Sequence, residues 1–282
     1  MGFASTLNAD LHSHSTVSDG TMPPRELVLR AAERGVELFA LTDHDELGGL
    51  GEAAACAAEI GLRFVPGVEV SVTWAGRTVH VVGLGVDTAN RALRDGLATV
   101  RAGRTERARQ MAERLEAAGI GGAFAGALKY VGNPDLISRT HFARFLVERG
   151  ICRDTREVFT RYLVRGKPGY VPHCWAQLPQ AVRWIVDAGG VAVIAHPGRY
   201  SLSDTEFSAL AAEFHELGGT ALEVATSSHG AAETQRFAAL ALKFGFAASR
   251  GSDFHGPGES YAELGRVDHL PSRLTPVWQR FL

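Results

Sequence analysis

Short β-branched runs alternate with helix patterns along most of this chain, and that alternation is the feature that most restricts its fold. Strands are predicted over Leu7–His14, Val36–Thr42, Arg63–Val70, Thr78–Leu84, Val191–Ala195, Ala221–Ala225 and Phe246–Gly251. Between most of them lie helix patterns at Pro23–Arg34, Leu47–Ile60, Gln177–Ala188, Asp204–Leu217 and Ala231–Phe244. Glycines (Gly35, Gly61, Gly189, Gly190, Gly218, Gly219, Gly245) stand at the helix-to-strand joints, where a helix ends in the left-handed conformation. Alternation of this kind predicts a parallel sheet with its helices outside, closed or nearly closed into an α/β barrel of seven strands.

The alternation stops between Asn90 and Lys167. A long helix pattern over Arg91–Ala118, a turn at Gly119–Gly122, and helical stretches at Thr140–Arg149 and Thr155–Leu163 contain no convincing strand. The expected organisation is a barrel from residues 1–89 and 168–282, with a helical insertion over 90–167. Charge is uneven too. From Arg139 to Lys167 there are eight Lys or Arg against three acids, a net +5 in a chain whose total is −2. Such a run is either a solvated helical face or a surface turned to an anionic substrate.

Other features exclude whole classes. No apolar stretch reaches the roughly 18 residues of a membrane span, and the first ten residues lack a basic and then apolar leader. A cytoplasmic protein with no membrane partner and no evident obligate protein partner is expected. Cys56, Cys152 and Cys174 are scattered and odd in number, so neither a disulfide framework nor a thiolate metal motif is expected.

The chemistry sits at the ends of the predicted strands. The first closes on Asp10-Leu11-His12-Ser13-His14, and side chains at i and i+2 of a strand share a face, so both imidazoles can meet one ion. Strand two is followed by Thr42-Asp43-His44-Asp45. Strand three ends on Gly67-Val68-Glu69, strand four carries His80, strand five ends on Ala195-His196-Pro197, and the last ends on Gly251-Ser252-Asp253-Phe254-His255. Asp19 lies in the loop after strand one. In a parallel barrel these ends form one rim, where active sites sit. Two core histidines would be ordinary, but six of the eleven on one rim would not. Nine imidazole and carboxylate donors suit two or three ions of Mn²⁺, Fe²⁺ or Zn²⁺ better than Mg²⁺ or Ca²⁺, with Glu69 as the expected bridge. Such ions activate water and hold both oxygens of an in-line phosphoryl displacement.

Asp10-Leu11-His12-Ser13-His14 with Ser18-Asp19-Gly20, Thr42-Asp43-His44-Asp45, Gly67-Val68-Glu69, Ala195-His196-Pro197 and Ser252-Asp253-Phe254-His255 resemble the successive motifs of the PHP (polymerase and histidinol phosphatase) family. The resemblance implies a distorted, TIM-like barrel of seven strands with a two- or three-metal phosphoesterase centre. It places His12, His14, Glu69 and Asp253 about one ion, Glu69, His80 and His196 about a second, and Asp19, His44 and His255 about a third. Many members have His at the position of Asp19, so the third site is where this chain departs from the pattern. The expected nucleophile is a hydroxide on the metals, held by Glu69, His196 and Asp253, and the expected metal on this ligand chemistry is Mn²⁺, with Fe²⁺ or Zn²⁺ as alternatives.

A narrower resemblance runs through Asn133 to Arg144, Gly166-Lys167-Pro168-Gly169-Tyr170 and His196-Pro197-Gly198-Arg199-Tyr200. These segments look like the bacterial branch of the family that acts on nucleotides, as 3′,5′-nucleoside bisphosphate phosphatases or as 5′-to-3′ exoribonucleases on short 5′-phosphorylated RNA. Ser138, Arg139 and Thr140 at a helix start, with Lys167 and Arg199, are the expected phosphate contacts. Ser228 and His229, after strand six, are further candidates for the pocket. Tyr170 and Trp175 either stack on a base or pack beside the Pro-rich loop. The expected reaction removes the 3′-phosphate of a nucleoside 3′,5′-bisphosphate. The alternatives are exoribonuclease or histidinol phosphatase activity, or a non-catalytic structural metal module, although a module of that kind would have lost ligands.

Overall fold

A computed structural model describes residues 7–282. The first six residues, part of the stretch read above for a leader, lie outside that range. The strands are β1 (Ala9–Asp10), β2 (Leu38–Leu41), β3 (Arg63–Trp74), β4 (Arg77–Leu84), β5 (Ala176–Gln177), β6 (Val191–Ile194), β7 (Ala221–Thr226) and β8 (Ala247–Gly251). Seven of them form the order β1-β2-β3-β4-β6-β7-β8, while the two-residue β5 pairs with the end of β3. Backbone hydrogen bonds from Leu11 to Arg250 (3.0 Å) and from His14 to Phe254 (2.9 Å) join the first strand to the last, closing a distorted barrel. Helices α1 (Pro24–Glu33), α2 (Leu50–Ile60), α8 (Leu178–Asp187), α9 (Asp204–Glu216) and α10 (Ala231–Phe244) are the helices that alternate with the barrel strands. No helix among the described residues is long and apolar enough to cross a membrane.

The all-parallel expectation fails at one strand. β4 runs antiparallel to both β3 and β6, whereas the other pairings are parallel. The reason is local. Only Ala75 and Gly76 separate Trp74 from Arg77, and both have positive φ (46° and 71°), the mirror-image turn that matches strand twist. A parallel crossover needs about a dozen residues or more, so two residues leave only a hairpin. β3 accordingly runs to Trp74, past the expected end at Val70. Reversal of β4 also brings its starting half, with His80 opposite Ser71, to the rim where the other strands end.

Between Arg91 and Leu163 every described element is helical. The expected helix over Arg91–Ala118 divides at Gly103 into α3 (Arg91–Ala102) and α4 (Arg104–Ala117). They are followed by α5 (Ala123–Leu128), α6 (Arg139–Glu148), α7 (Thr155–Val158) and a wider π turn over Phe159–Leu163. Leu93, Leu97 and Val100 of α3 pack into the barrel core, whereas Met111, Leu115, Phe142, Leu146, Val158 and Leu163 form a second apolar core. The two halves of that first helix pattern thus serve different bodies.

Candidate metal centre

The barrel rim gathers the imidazoles and carboxylates foreseen from the strand ends. His12 and His14 Nε2 lie 3.3 and 3.2 Å from Glu69 Oε2, and 3.5 and 3.1 Å from Asp253 Oδ1. Donors about 2.0–2.2 Å from one ion are separated by roughly 3.0–3.5 Å in octahedral or tetrahedral geometry. The four edges therefore have the length that a shared ion requires. Glu69 Oε1 faces the other way, 2.9 Å from both His80 Nδ1 and His196 Nε2. His44 Nδ1 is 3.0 Å from Oε2, so this carboxylate stands between three groups of rings. His14, Asp19, His44 and His255 form a further group, with Asp19 Oδ1 at 3.4 Å from His255 Nε2 and 3.9 Å from His44 Nε2. All nine residues foreseen as ligands come together: eight fall into these three groups, in which His14, His44 and Glu69 each appear twice, and His196 joins them through Glu69 Oε1.

The fit to cations rests on what the donors lack. Buried atoms with no hydrogen-bond partner include His12 Nε2, both ring nitrogens of His14, Asp19 Oδ1, His44 Nδ1, Glu69 Oε2 and His80 Nδ1. Unpaired buried polar atoms are costly, and so many converging on one spot call for positive charge. The titration pattern agrees. Burial raises carboxyl pKa values, but neighbouring rings hold Glu69 and Asp19 well below the usual range, and Arg199 with neighbouring rings does so for Asp253. Burial opposes protonation of His14, yet Asp253 and Glu69 push its pKa to about 10. Without a metal His12 and His14 hold protons that a metal must displace, whereas burial pushes His44 down to about 3 and lowers His196, which leaves these rings ready as ligands. Mixed nitrogen and oxygen donors without sulfur suit first-row divalent ions.

The backbone is shaped to aim these groups. His196 and Asp253 have φ of 24° and 53°, a conformation that costs a non-glycine residue on the order of 1–3 kcal/mol and gathers at functional sites. Each is pinned in place: Glu223 accepts from the His196 amide (2.5 Å), and the Asp253 amide donates to the His12 carbonyl (2.8 Å). Gly251 admits the approach of β1, because a Cβ there would meet His12 Cβ at 2.3 Å.

Several residues that matter here escaped the sequence reading. Glu223 of β7 is fully buried, and its Oε1 lies 2.8 Å from His12 Nδ1, fixing the ring so that Nε2 faces the cluster. The available signal was a lone carboxylate inside an otherwise apolar strand. Replacing Glu223 with Gln is expected to weaken metal binding roughly 10- to 100-fold, read by titration against a competing chelator. Unchanged affinity would remove Glu223 from this role. Arg104 and Arg107 of α4 were missed as well, and both line the cavity over the cluster.

That cavity, about 200 Å³, is lined by Glu69, His80, His196, Asp253 and His255 of the cluster together with Arg104, Arg107, Arg139 and Trp175. Arg104 is ion-paired with Asp45. Arg107 donates to the Val171 carbonyl (3.2 Å), and Arg139 lies over the Phe159 ring; neither has a carboxylate partner among the described residues. Burial, with Arg139 and Arg104 close by, lowers the Arg107 pKa to about 9. Two buried guanidiniums and the half-buried Arg139 against one carboxylate form a cationic wall. Arg104 and Arg107 also lie 4.6 and 5.2 Å from the Trp175 ring centroid, so that ring is already engaged.

The remaining expected contacts divide. Arg199 lines the cavity and pairs with Asp253 Oδ2 (2.5 Å). Ser138 and Thr140 line it too, but their hydroxyls donate to Asp19 Oδ2 (3.2 and 3.0 Å). Ser228 reaches an adjoining cavity of about 630 Å³ that shares Thr140, Phe159, Arg199, Asp253 and His255 with the first. His229 lines neither; its Nδ1 bonds the Val224 carbonyl (3.0 Å) and its Nε2 accepts from the Gly198 amide (3.0 Å), which braces the turn bearing Arg199. Lys167 is exposed and lines neither cavity.

A closed α/β barrel with this donor set at its rim defines a metal-dependent phosphoesterase. The PHP domain family model matches residues 10–125. Over 272 residues the chain is 54% identical to a 3′,5′-nucleoside bisphosphate phosphatase of Chromobacterium violaceum, covering 96% of this chain and 95% of that one. It is 45% identical to the 5′-3′ exoribonuclease Rnm of Salmonella typhimurium, covering 96% and 92%. A crystal structure described as an amidohydrolase from Chromobacterium violaceum, with sulfate and no metal, superposes with a TM-score of 0.95 at 54% identity, covering 97% and 95%. The chain belongs to the PHP family.

Proposed function

We propose that this chain removes the 3′-phosphate from nucleoside 3′,5′-bisphosphates, giving a nucleoside 5′-monophosphate and phosphate. The observation that carries the reading is one cavity lined by two unlike sets of groups: a cluster of unpaired metal-type donors and a metal-free group of arginines. A substrate with two phosphates needs both. Bound divalent ions, Mn²⁺ on ligand chemistry, would supply Lewis-acid stabilisation of the phosphoryl oxygens and an acidified water. His12, His14, Glu69 and Asp253 would hold one ion, Glu69, His80 and His196 a second, and Asp19, His44 and His255 a third. Arg107 and Arg139 would grip the 5′-phosphate, and Arg199 would face the phosphoryl group undergoing displacement. The name of the Chromobacterium violaceum relative supports the same substrate.

The adjoining cavity favours a second reading. It opens past Arg199 and Asp253, where a longer 3′-side chain of a short 5′-phosphorylated RNA would leave the cluster. The exoribonuclease relative lends this support. Histidinol phosphate fits less well, since its ammonium would meet a cationic wall. The test is to give the Mn²⁺-loaded enzyme adenosine 3′,5′-bisphosphate, a 5′-phosphorylated trinucleotide and histidinol phosphate separately. Phosphate release is expected fastest from the bisphosphate; faster mononucleotide release from the trinucleotide would favour the second reading, and faster release from histidinol phosphate would overturn both.

A further inference from the structure

We infer that Arg144, with Glu259, is a clamp by which the helical insertion builds the third ion's site. The inference rests on the assignment of Asp19, His44 and His255 to that ion. Arg144 lies on α6, nearly buried, and its single guanidinium spans two loops. Nη2 donates to the Asp19 carbonyl (2.6 Å), while Nε and Nη2 reach the two oxygens of Glu259 (2.9 and 2.8 Å). Asp19 belongs to the loop after β1, and Glu259 to the loop that follows His255. A planar fork holds such an arrangement in a way that a point charge does not.

The carboxylate of Asp19 is oriented from the same helix. Its Oδ2 accepts from Ser138 and Thr140, at the start of α6, which leaves Oδ1 unpaired and turned toward His255 and His44. On the other loop the His255 amide donates to Ser260 Oγ (2.7 Å), one residue past Glu259, and its Nδ1 bonds the Asp253 carbonyl (3.0 Å). That bond fixes the ring so that Nε2 faces Asp19. The Thr21 amide completes the join by donating to the His255 carbonyl (2.7 Å).

The other donors are held differently. His12 is fixed by Glu223, and the His196 amide by the same carboxylate, both from barrel strands. The side chain of Glu69 stands on β3 and that of His80 on β4, and no hydrogen bond from α6 to any of these four is present among the described residues. Loosening the clamp therefore acts on one ion and spares the others. This gives the helical insertion a role in metal retention besides the phosphate contacts of its cavity-lining arginines.

The experiment compares Arg144→Met, Arg144→Lys and Asp19→Ala with the parent. Mn²⁺ equivalents per chain are measured by elemental analysis after graded chelation, and rebinding of Mn²⁺ by calorimetry, with circular dichroism as the check on folding. Arg144→Met is expected to lose one equivalent first and to rebind it about 10- to 100-fold more weakly, the range typical for loss of a residue that orients a ligand. The other equivalents should rebind within about twofold. Arg144→Lys, which keeps the charge without the fork, should fall between. Equal weakening of every ion, or parental stoichiometry and affinity in Arg144→Met, overturns the clamp. If Arg144→Met does not fold, Thr140→Val and Glu259→Gln read the same quantity, and unchanged rebinding in both overturns it. If Asp19→Ala loses the ion while Arg144→Met keeps it, the clamp fails and the site stands. If Asp19→Ala keeps every ion, the site assignment fails and takes the clamp with it.

Discussion

Glu69→Gln is expected to lower kcat by roughly 10³-fold or more at saturating Mn²⁺ while leaving the circular dichroism spectrum intact. The residue is fully buried, and its two oxygens face different partners: Oε2 meets His12, His14 and His44, while Oε1 meets His80 and His196. An amide of the same shape removes the negative charge and turns two N–H donors toward rings that need an acceptor or a cation. Binding of two ions would fail together, and with it several kcal/mol of charge stabilisation, at about 1.4 kcal/mol per tenfold in rate. The amide preserves volume, so the barrel has no cavity to collapse into. Elemental analysis should show at least one equivalent fewer than the parent. Near-parental turnover at saturating Mn²⁺ would mean that Glu69 does not bridge, and the three-ion assignment would need redrawing.

Why the cluster could be foreseen and its surroundings could not is a matter of range. His12 with His14, and Asp253 with His255, are pairs at i and i+2, and strand geometry alone puts such pairs on one face. Barrel closure then needs no further information to bring strand ends together. The direction of β4 was harder to read, because Ala75-Gly76 lacks the Asn-Gly or Asp-Gly that usually signals a mirror-image turn. His80 was still foreseen, but from the wrong geometry: it comes from the start of a reversed strand. Glu223 was absorbed into the apolar pattern of β7. Nothing within six residues of it states that a ring 211 positions away would need its carboxylate. Charge counting misled in the insertion. It gave Lys167 the same weight as Arg139, although the helix start points Arg139 inward and the later turn carries Lys167 out to solvent. Meanwhile Arg104 and Arg107 sat in a strongly polar helix, α4, whose buried positions cannot be told from its exposed ones by composition.

The second large effect concerns the cationic wall. Arg107→Met combined with Arg139→Met is expected to lower kcat/KM for adenosine 3′,5′-bisphosphate by about 10²- to 10⁴-fold. A hydrogen bond to a charged group contributes roughly 1.5–3 kcal/mol, and the two residues would each supply one to the phosphate that is not cleaved. Arg104 is left alone because Asp45 already balances it, and its loss would strand a buried carboxylate. Neither substituted residue has such a partner among the described residues, so methionine replaces two mutually repelling cations, Arg107 buried and Arg139 half-buried, with apolar side chains of similar reach. Stability should therefore hold or rise, which thermal melting can check. The discriminating substrate is adenosine 3′-monophosphate, which presents the same scissile phosphate and lacks the 5′-phosphate. Its slower hydrolysis should change by less than about threefold in the double variant, since the lost contacts, each of the 1.5–3 kcal/mol kind, were made to a group it does not carry. A parallel fall on both substrates would place these arginines at the reacting phosphate, and the division of the cavity into a metal wall and an arginine wall would then be wrong.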